Sequence, residues 1–301
     1  MFERSGIYFA TARCFQGRSL LRPSDETYIV LGGVLARSAR LYGVELFAFN
    51  FLSNHLHLLV RAPRGNLPQF MQYLLTNTSK KIGALINWQG AFWERRYSVA
   101  PVLDDAALLD KVRYVLAQGV KEGLVRRCSE WPGLSSLPLM RDGKPRSFRW
   151  FNWTRRCRNA VPARRRDRLD ERWAEPEELQ LTVLPILGFD RLSNVRRFVD
   201  ESVTAIEEQA RGTFRAVLGL RRVLRQHPHR RPARLERSAA PRCHTALSTL
   251  RAEFLERYRA FTDAFLSASR SWRLGNLQAR FPLAAIRPFL WPSEFPARLV
   301  A

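Results

Sequence analysis

The sequence predicts an α+β fold: a four-stranded antiparallel sheet with helices on one face, then a mainly helical region. Short runs rich in β-branched and aromatic residues alternate with longer segments of helical apolar spacing, in the order β-α-β-β-α-β-α. Turn and cap signals separate the segments at short intervals. No apolar run approaches the roughly 20 residues that a membrane span needs, so the apolar content is available for a core.

The elements follow in order. Residues 7–14, "IYFATARC", read as the first strand. The start signal "RPSDE" opens a helix, with Tyr28, Leu31, Leu35 and Ala39 at helical spacing and Gly43 as its stop. Residues 44–51 and 55–61 form two strands joined by a tight turn at Ser53 and Asn54. A second helix starts from Asn66 as cap, and Leu67, Phe70, Met71, Leu74, Leu75, Thr78, Ile82 and Leu85 line its apolar face. "FWERRYSVAPV" supplies a fourth strand. Asp104 then caps a helix over about 105–118, which Gly119 is expected to end. This order is the ferredoxin-like (RRM-like) plan.

The segment "PLMRDGKPRSF" near 138–148 suggests a boundary between residues 1–140 and 141–301. The first part has 17 basic and 10 acidic residues, the second 33 and 17. Helical stretches near 192–225 and 245–272 mark the second part as mainly helical, with arginine-rich clusters at 154–168 and 221–237.

The formal charge of +23 points to polyanionic partners, nucleic acid first and anionic membrane second. Arginine supplies 45 of the 50 basic residues, which codon usage could explain, but the excess over acidic residues needs another cause. Four scattered cysteines, with no CxxC pair, fit a reducing cytoplasm better than a disulfide framework or zinc ribbon. No signal-peptide pattern opens the sequence, so a cytoplasmic protein is expected.

The chemistry concentrates in "FLSNHLHLL". On a strand His55 and His57 face the same way, with Leu56 and Leu58 opposite, and two imidazoles so spaced can chelate one divalent ion. An isolated pair of this kind is more often a satisfied core pair than a ligand set. The helix at 105–118 changes that balance: Leu108, Val112 and Val115 form its buried stripe, while Tyr114 and Gln118 share another face with Lys111 and Lys121 nearby. A phenol, an amide, two imidazoles and flanking ammonium groups make a set suited to phosphoryl transfer. Tyr97, close to Arg95 and Arg96, is the second-choice nucleophile. Trp88 and Trp93 are candidates for base stacking as well as for packing. His227, His229 and His244 are dispersed in a Pro-rich region and give no metal site.

These motifs resemble the single-tyrosine HUH transposases, in particular the REP-associated tyrosine transposases and their insertion-sequence relatives. "FLSNHLHLL" resembles the HUH motif, "RYVLAQGVKEGLV" followed by "EWPGLSSL" the tyrosine helix and its downstream segment, and "GAFWERRYS" the segment joining the two. The resemblance covers about residues 5–138. It implies a metal-dependent enzyme that nicks and rejoins single-stranded or hairpin DNA through a 5′-phosphotyrosine, as a monomer or homodimer associated with the bacterial nucleoid. By position it makes Tyr114 the nucleophile, His55, His57 and Gln118 the metal ligands, and Mg²⁺ or Mn²⁺ the cofactor. Apart from the resemblance, Arg13, Trp93, Arg95, Arg96, Lys111 and Lys121 are candidate DNA contacts, with solvated charge or core packing as the alternative reading. Where many relatives have Asn-Pro, this sequence has Gln118-Gly119. A non-catalytic nucleic-acid binder and a rolling-circle or conjugative nickase are the alternatives.

Overall fold

The strands β1 (Ile7–Arg13), β2 (Glu45–Phe51), β3 (His55–Arg61) and β4 (Ser98–Val102) form one sheet in the order β2-β3-β1-β4, all neighbours antiparallel. The computed structural model describes residues 4–159, 169–187, 191–232, 241–283 and 285. Helix α1 (Asp25–Tyr42) joins β1 to β2, α2 (Leu67–Leu85) joins β3 to β4, and α3 (Asp105–Lys121) follows. This is the ferredoxin-like arrangement that the element order predicts.

Local signals set most boundaries. The Ser24 hydroxyl accepts from Thr27 N–H (3.1 Å) and Gly43 closes α1 in the left-handed region, at φ 61°. The Asp104 carboxylate accepts from Ala107 N–H (2.7 Å) at the start of α3. Two expectations need correction. Asn66 does not cap α2: its side-chain amide donates to Tyr42 O (2.9 Å), which ties the start of α2 to the end of α1. Gly119 does not end α3, which runs on to Lys121, with left-handed Gly123 (φ 62°) beyond it. Gly119 serves packing instead, because a Cβ there would lie 3.2–3.3 Å from Val125 and Trp131.

Strand alternation sorts the side chains onto two faces. Leu56, Leu58 and Val60 point one way, fully buried on the face left to the apolar stripes of α1 and α2. His57 and Leu59 point the other way. On that face Phe9, Phe47, Ala48 and Leu59 pack with Leu108, Val112, Val115 and Leu116 of α3. The pairing of β2 with β3 shifts register between Leu46 and Ala48, a bulge that puts Phe47 and Ala48 into the same cluster. Both sheet edges are closed by single bridges, Asn50 to Ser135 outside β2 and Val102 to His244 outside β4.

After residue 136 come α4 (Leu137–Asp142), β5 (Arg146–Phe151), α5 (Trp153–Arg158), β6 (Ala174–Leu179), α6 (Arg191–Thr213), α7 (Leu220–Leu224) and α8 (Ser248–Arg273). The region is mainly helical, as expected. The antiparallel β5–β6 pair is an addition that the sequence hides: "AEPEEL" of β6, with three glutamates and a proline, lacks a strand pattern.

The compact units divide elsewhere than at the expected boundary near 140: residues Arg4–His244 form one unit and a second begins at Thr245. The reason is the fit of β5 against α1. The Phe148 ring sits on Gly32, and Arg149 O on Gly33, where an added Cβ would come within 2.1 Å of that carbonyl. The Lys81 amine on α2 donates to Phe151 O and lies 4.2 and 4.3 Å from the Trp150 and Trp153 rings. Glu177 on β6, with its side chain 2% exposed, takes three guanidinium bonds of 2.8 Å, one from Arg37 and two from Arg40. Those bonds, from Arg40 and then Arg37, hold its carboxyl below the ordinary range against the opposing effect of burial.

Two outcomes follow. Gly33→Ala should lower stability by about 3 kcal/mol, because the methyl meets backbone and not a movable side chain; a melting temperature close to wild type would contradict the packing described. Glu177→Gln should cost about 2 kcal/mol at pH 7. Since the folded carboxyl is depressed, its contribution is present above the unfolded value near 4.5 and fades as pH falls below it. Melting curves of wild type and variant should therefore converge in acid.

Candidate active site

The register of the sheet builds the site. Thr11 of β1 and Asn50 of β2 stand directly opposite His57 on its two sides, and Arg13 stands opposite His55. Each imidazole is fixed through Nδ1: His55 Nδ1 lies 2.6 Å from Asn54 Oδ1, and His57 Nδ1 lies 2.9 Å from Thr11 Oγ1. An amide oxygen only accepts, so His55 carries its proton on Nδ1 and presents the Nε2 lone pair. The two rings meet edge to face, with centroids 4.8 Å apart. Phe9 forms the floor, stacked on His57 at 5.2 Å and edge-on to Tyr114 at 5.7 Å.

Helix α3 brings the other half. The Tyr114 ring is 5.3 Å from the His57 ring, and Gln118 follows one turn later, fully buried. Gln118 Nε2 donates to Tyr114 O (2.9 Å), which directs Oε1 away from the helix backbone. The sequence-predicted four, His55, His57, Tyr114 and Gln118, thus share one site. Two polar atoms in it, His57 Nε2 and Gln118 Oε1, are buried without a hydrogen bond of normal geometry, although the Gln118 amide is near enough to both imidazoles and the Tyr114 phenol to act on their pKa values. Buried polar atoms left in that state cost free energy, and an oxygen and a nitrogen lone pair side by side suit a shared cation. The donor set therefore fits a divalent metal ion. No group of three or more His, Cys, Asp or Glu suited to a metal occurs among the described residues, so an amide-containing set is the one on offer.

Electrostatics favour neutral ligands. Burial, then the Arg13 charge, pushes His55 down to about 4, while the nearby Gln118 amide opposes the shift. Burial, then the neighbouring His55, pushes His57 well below its ordinary value, with Lys121 and Lys111 adding to the effect. Burial raises the Tyr114 phenol, which the Gln118 amide and Arg13 partly offset. Lys111 and Lys121 place their ammonium groups 5.0 and 4.4 Å from the Tyr114 ring centre.

The other candidates lie elsewhere. Trp93 donates its N–H to Leu75 O (3.0 Å) and bridges to Cys14. Arg95 and Arg96 are exposed before β4, with Arg96 over the Tyr97 ring at 5.6 Å. The Tyr97 hydroxyl is itself buried, which disfavours it as a nucleophile. Trp88 already holds Arg18 over its ring at 5.3 Å and His229 edge-on at 5.3 Å.

Comparison with known proteins places the site. The model of the family described as "Transposase IS200 like" matches residues 18–118, a span that contains His55, His57, Tyr114 and Gln118. This segment is similar to the IS200-like transposases. Residues 119–301 lie outside the match. A Haemophilus influenzae protein named as a REP-associated tyrosine transposase is 22% identical over 147 residues, covering 44% of this chain and 80% of its own. Among solved structures, a REP-associated tyrosine transposase bound to a REP hairpin matches at 19% identity and TM-score 0.39, over 45% of this chain and 79% of its own. A chain described as a transposase from Deinococcus radiodurans matches at 22% identity and TM-score 0.29, over 37% and 89%. No helix among the described residues is long and apolar enough to cross a membrane.

Sequence reasoning missed the residues around this set, Asn50 above all. Asn50 is 3% exposed; its Nδ2 donates to Val115 O (3.0 Å), one residue beyond Tyr114, and its Oδ1 is buried and unpartnered. The signal was present in "LFAFNF", a lone amide in an apolar strand. Asn50→Leu should lower affinity for Mn²⁺ by about 10-fold or more, as loss of a supporting residue around a ligand set does. Titration calorimetry on the folded variant measures this, and an unchanged affinity would mean that Asn50 only packs.

Proposed function

We propose that this protein is a metal-dependent transposase that nicks and rejoins single-stranded DNA through a 5′-phosphotyrosine on Tyr114, at hairpin-containing repeats. The observation that carries the reading is the pair of buried, unpartnered acceptors, His57 Nε2 and Gln118 Oε1, set beside a half-buried tyrosine. Support comes also from the family match over residues 18–118 and from a matching relative named for REP association. In this reading residues 1–140 carry the chemistry, and residues 141–301 form a basic extension.

The chain's own groups divide the work. His55, His57 and Gln118 would hold one Mg²⁺ or Mn²⁺. Such an ion, when bound, supplies Lewis-acid charge to the phosphate oxygens and the departing 3′-oxygen. With His55 held down to about 4, the imidazole stays neutral at pH 7 and keeps its lone pair for the ion. Tyr114 Oη attacks the scissile phosphorus as the P–O3′ bond breaks; the phenol loses its proton to solvent, and the 3′-oxygen gains one. The phosphotyrosine conserves the bond energy, so a DNA 3′-hydroxyl can displace Tyr114 and reseal a strand. Lys111 and Lys121 beside the ring favour both the phenolate and the phosphate that joins it. Phe9 and the α3 stripe keep water from one side of the site.

A labelled single-stranded hairpin DNA incubated with the protein and Mn²⁺ should give a covalent adduct on a denaturing gel. Tyr114→Phe should abolish it, and His57→Ala should slow it at least about 100-fold with DNA binding retained. An adduct that survives Tyr114→Phe would remove Tyr114 from the nucleophile role.

A further inference from the structure

Between Glu208 and Glu236 the sequence has no acidic residue, while it has eight arginines (211, 215, 221, 222, 225, 230, 231 and 234) and two histidines. In a chain where acidic residues are common elsewhere, such a stretch is expensive in self-repulsion unless an anion lies along it. Its described part is not a loose tail. It starts where α3 ends: the Phe214 ring packs on Gly123, and Leu218 and Gly219 N–H donate to Gly123 and Leu124 O at 2.8 and 2.9 Å. It continues through α7, anchored by fully buried Val223. It is then fastened to the loop after β1, since Arg22 donates to Leu224 O (2.8 Å) and Arg18 to His229 O. His229 Nε2 also bonds Ile86 O (2.8 Å).

Both anchor points adjoin the candidate active site. Gly123 lies just beyond Gln118 and Lys121 on the tyrosine helix. The loop after β1 packs on the turn that holds His55: Leu21 N–H donates to Ser53 O (2.8 Å), and Asn54, which fixes His55, reaches Gly17 O. The strap therefore joins the segment after α3, the helix of Tyr114 and Gln118, to the loop that packs on the turn before β3. Val223 turns inward, while Arg221, Arg222 and Arg225 are exposed and make no ion pair among the described residues.

The geometry points to residues 214–231 as a backbone-phosphate track for the DNA strand that enters the site, a binding surface outside the matched family segment. It rests on the proposed DNA chemistry for its ligand but not for its own test. The contact is with phosphates, so it is independent of sequence and sensitive to salt.

The test is fluorescence-anisotropy binding of a labelled 20-nucleotide single strand over 50–300 mM NaCl, on the full chain. The triple variant Arg221→Gln, Arg222→Gln, Arg225→Gln should bind about 10-fold more weakly at low salt, with a log–log salt slope shallower by about 2. Its melting temperature and Mn²⁺ affinity should match wild type. A control with the same charge change on α8 (Arg257→Gln, Arg259→Gln, Arg270→Gln) should keep the wild-type slope. An unchanged slope in the first variant, or an equal loss in the control, overturns the track, the latter by showing a bulk-charge effect. Loss of binding to phosphatidylserine vesicles with DNA binding intact also overturns it, in favour of a membrane contact. A wild-type protein that forms no covalent adduct yet shows the slope change would sink the nickase reading and leave the track standing.

Discussion

Two polar side chains, an imidazole and a primary amide, are buried against each other where a sheet meets a helix. Each makes one hydrogen bond, His57 with Thr11 and Gln118 to Tyr114 O, but the second polar atom of each is left buried, at a cost of about 1–3 kcal/mol that stability alone does not explain. Much of the surrounding structure serves to hold them in place. Thr11 and Asn54 hold the two Nδ1 atoms, Asn50 binds the helix backbone beside Tyr114, and Phe9 stacks under the His57 ring. Further out, α6 and the segment around Trp131 press α3 onto the sheet. The site sits on two packed elements, a strand and a helix, not on loops, which fixes the relative positions of its side chains.

The charge arrangement is consistent with that constraint. Ligands that are neutral at pH 7 leave a bound ion its full charge, and Arg13, Lys111 and Lys121 add more, with Glu122 the acidic group that acts on Tyr114. Such an arrangement favours an anion over a further cation. The same positive charge recurs across the chain, so the approach of a polyanion is favoured long before contact.

The order and type of the first seven elements were legible because each has a clean local signal: a Ser24 or Asp104 cap, a 3.6-residue stripe, a two-residue alternation. The convergence of His55, His57, Tyr114 and Gln118 was legible because it depends on two short periods, i to i+2 on a strand and i to i+4 on a helix, which any sequence displays. Asn50 and Thr11 were not, since their roles come from cross-strand register, which the sequence does not state. Gly119 was misread because a glycine that ends a helix and one that admits a neighbouring tryptophan look alike in one dimension. The β5–β6 pair escaped because its acidic strand gains stability from Arg37 and Arg40 more than 130 residues away.

The closure of the sheet edges has a consequence for how the chain is made. Ser135 and His244, which cover the edges outside β2 and β4, leave the ribosome after the strands that they protect. The β4 edge waits for about 140 further residues, several seconds of synthesis or more. During that interval the nascent sheet has an open hydrogen-bonding edge, and the late segment acts as an intramolecular guard against pairing with another chain. The order of residues along the chain is then also a schedule, with the four-stranded sheet formed early and sealed last.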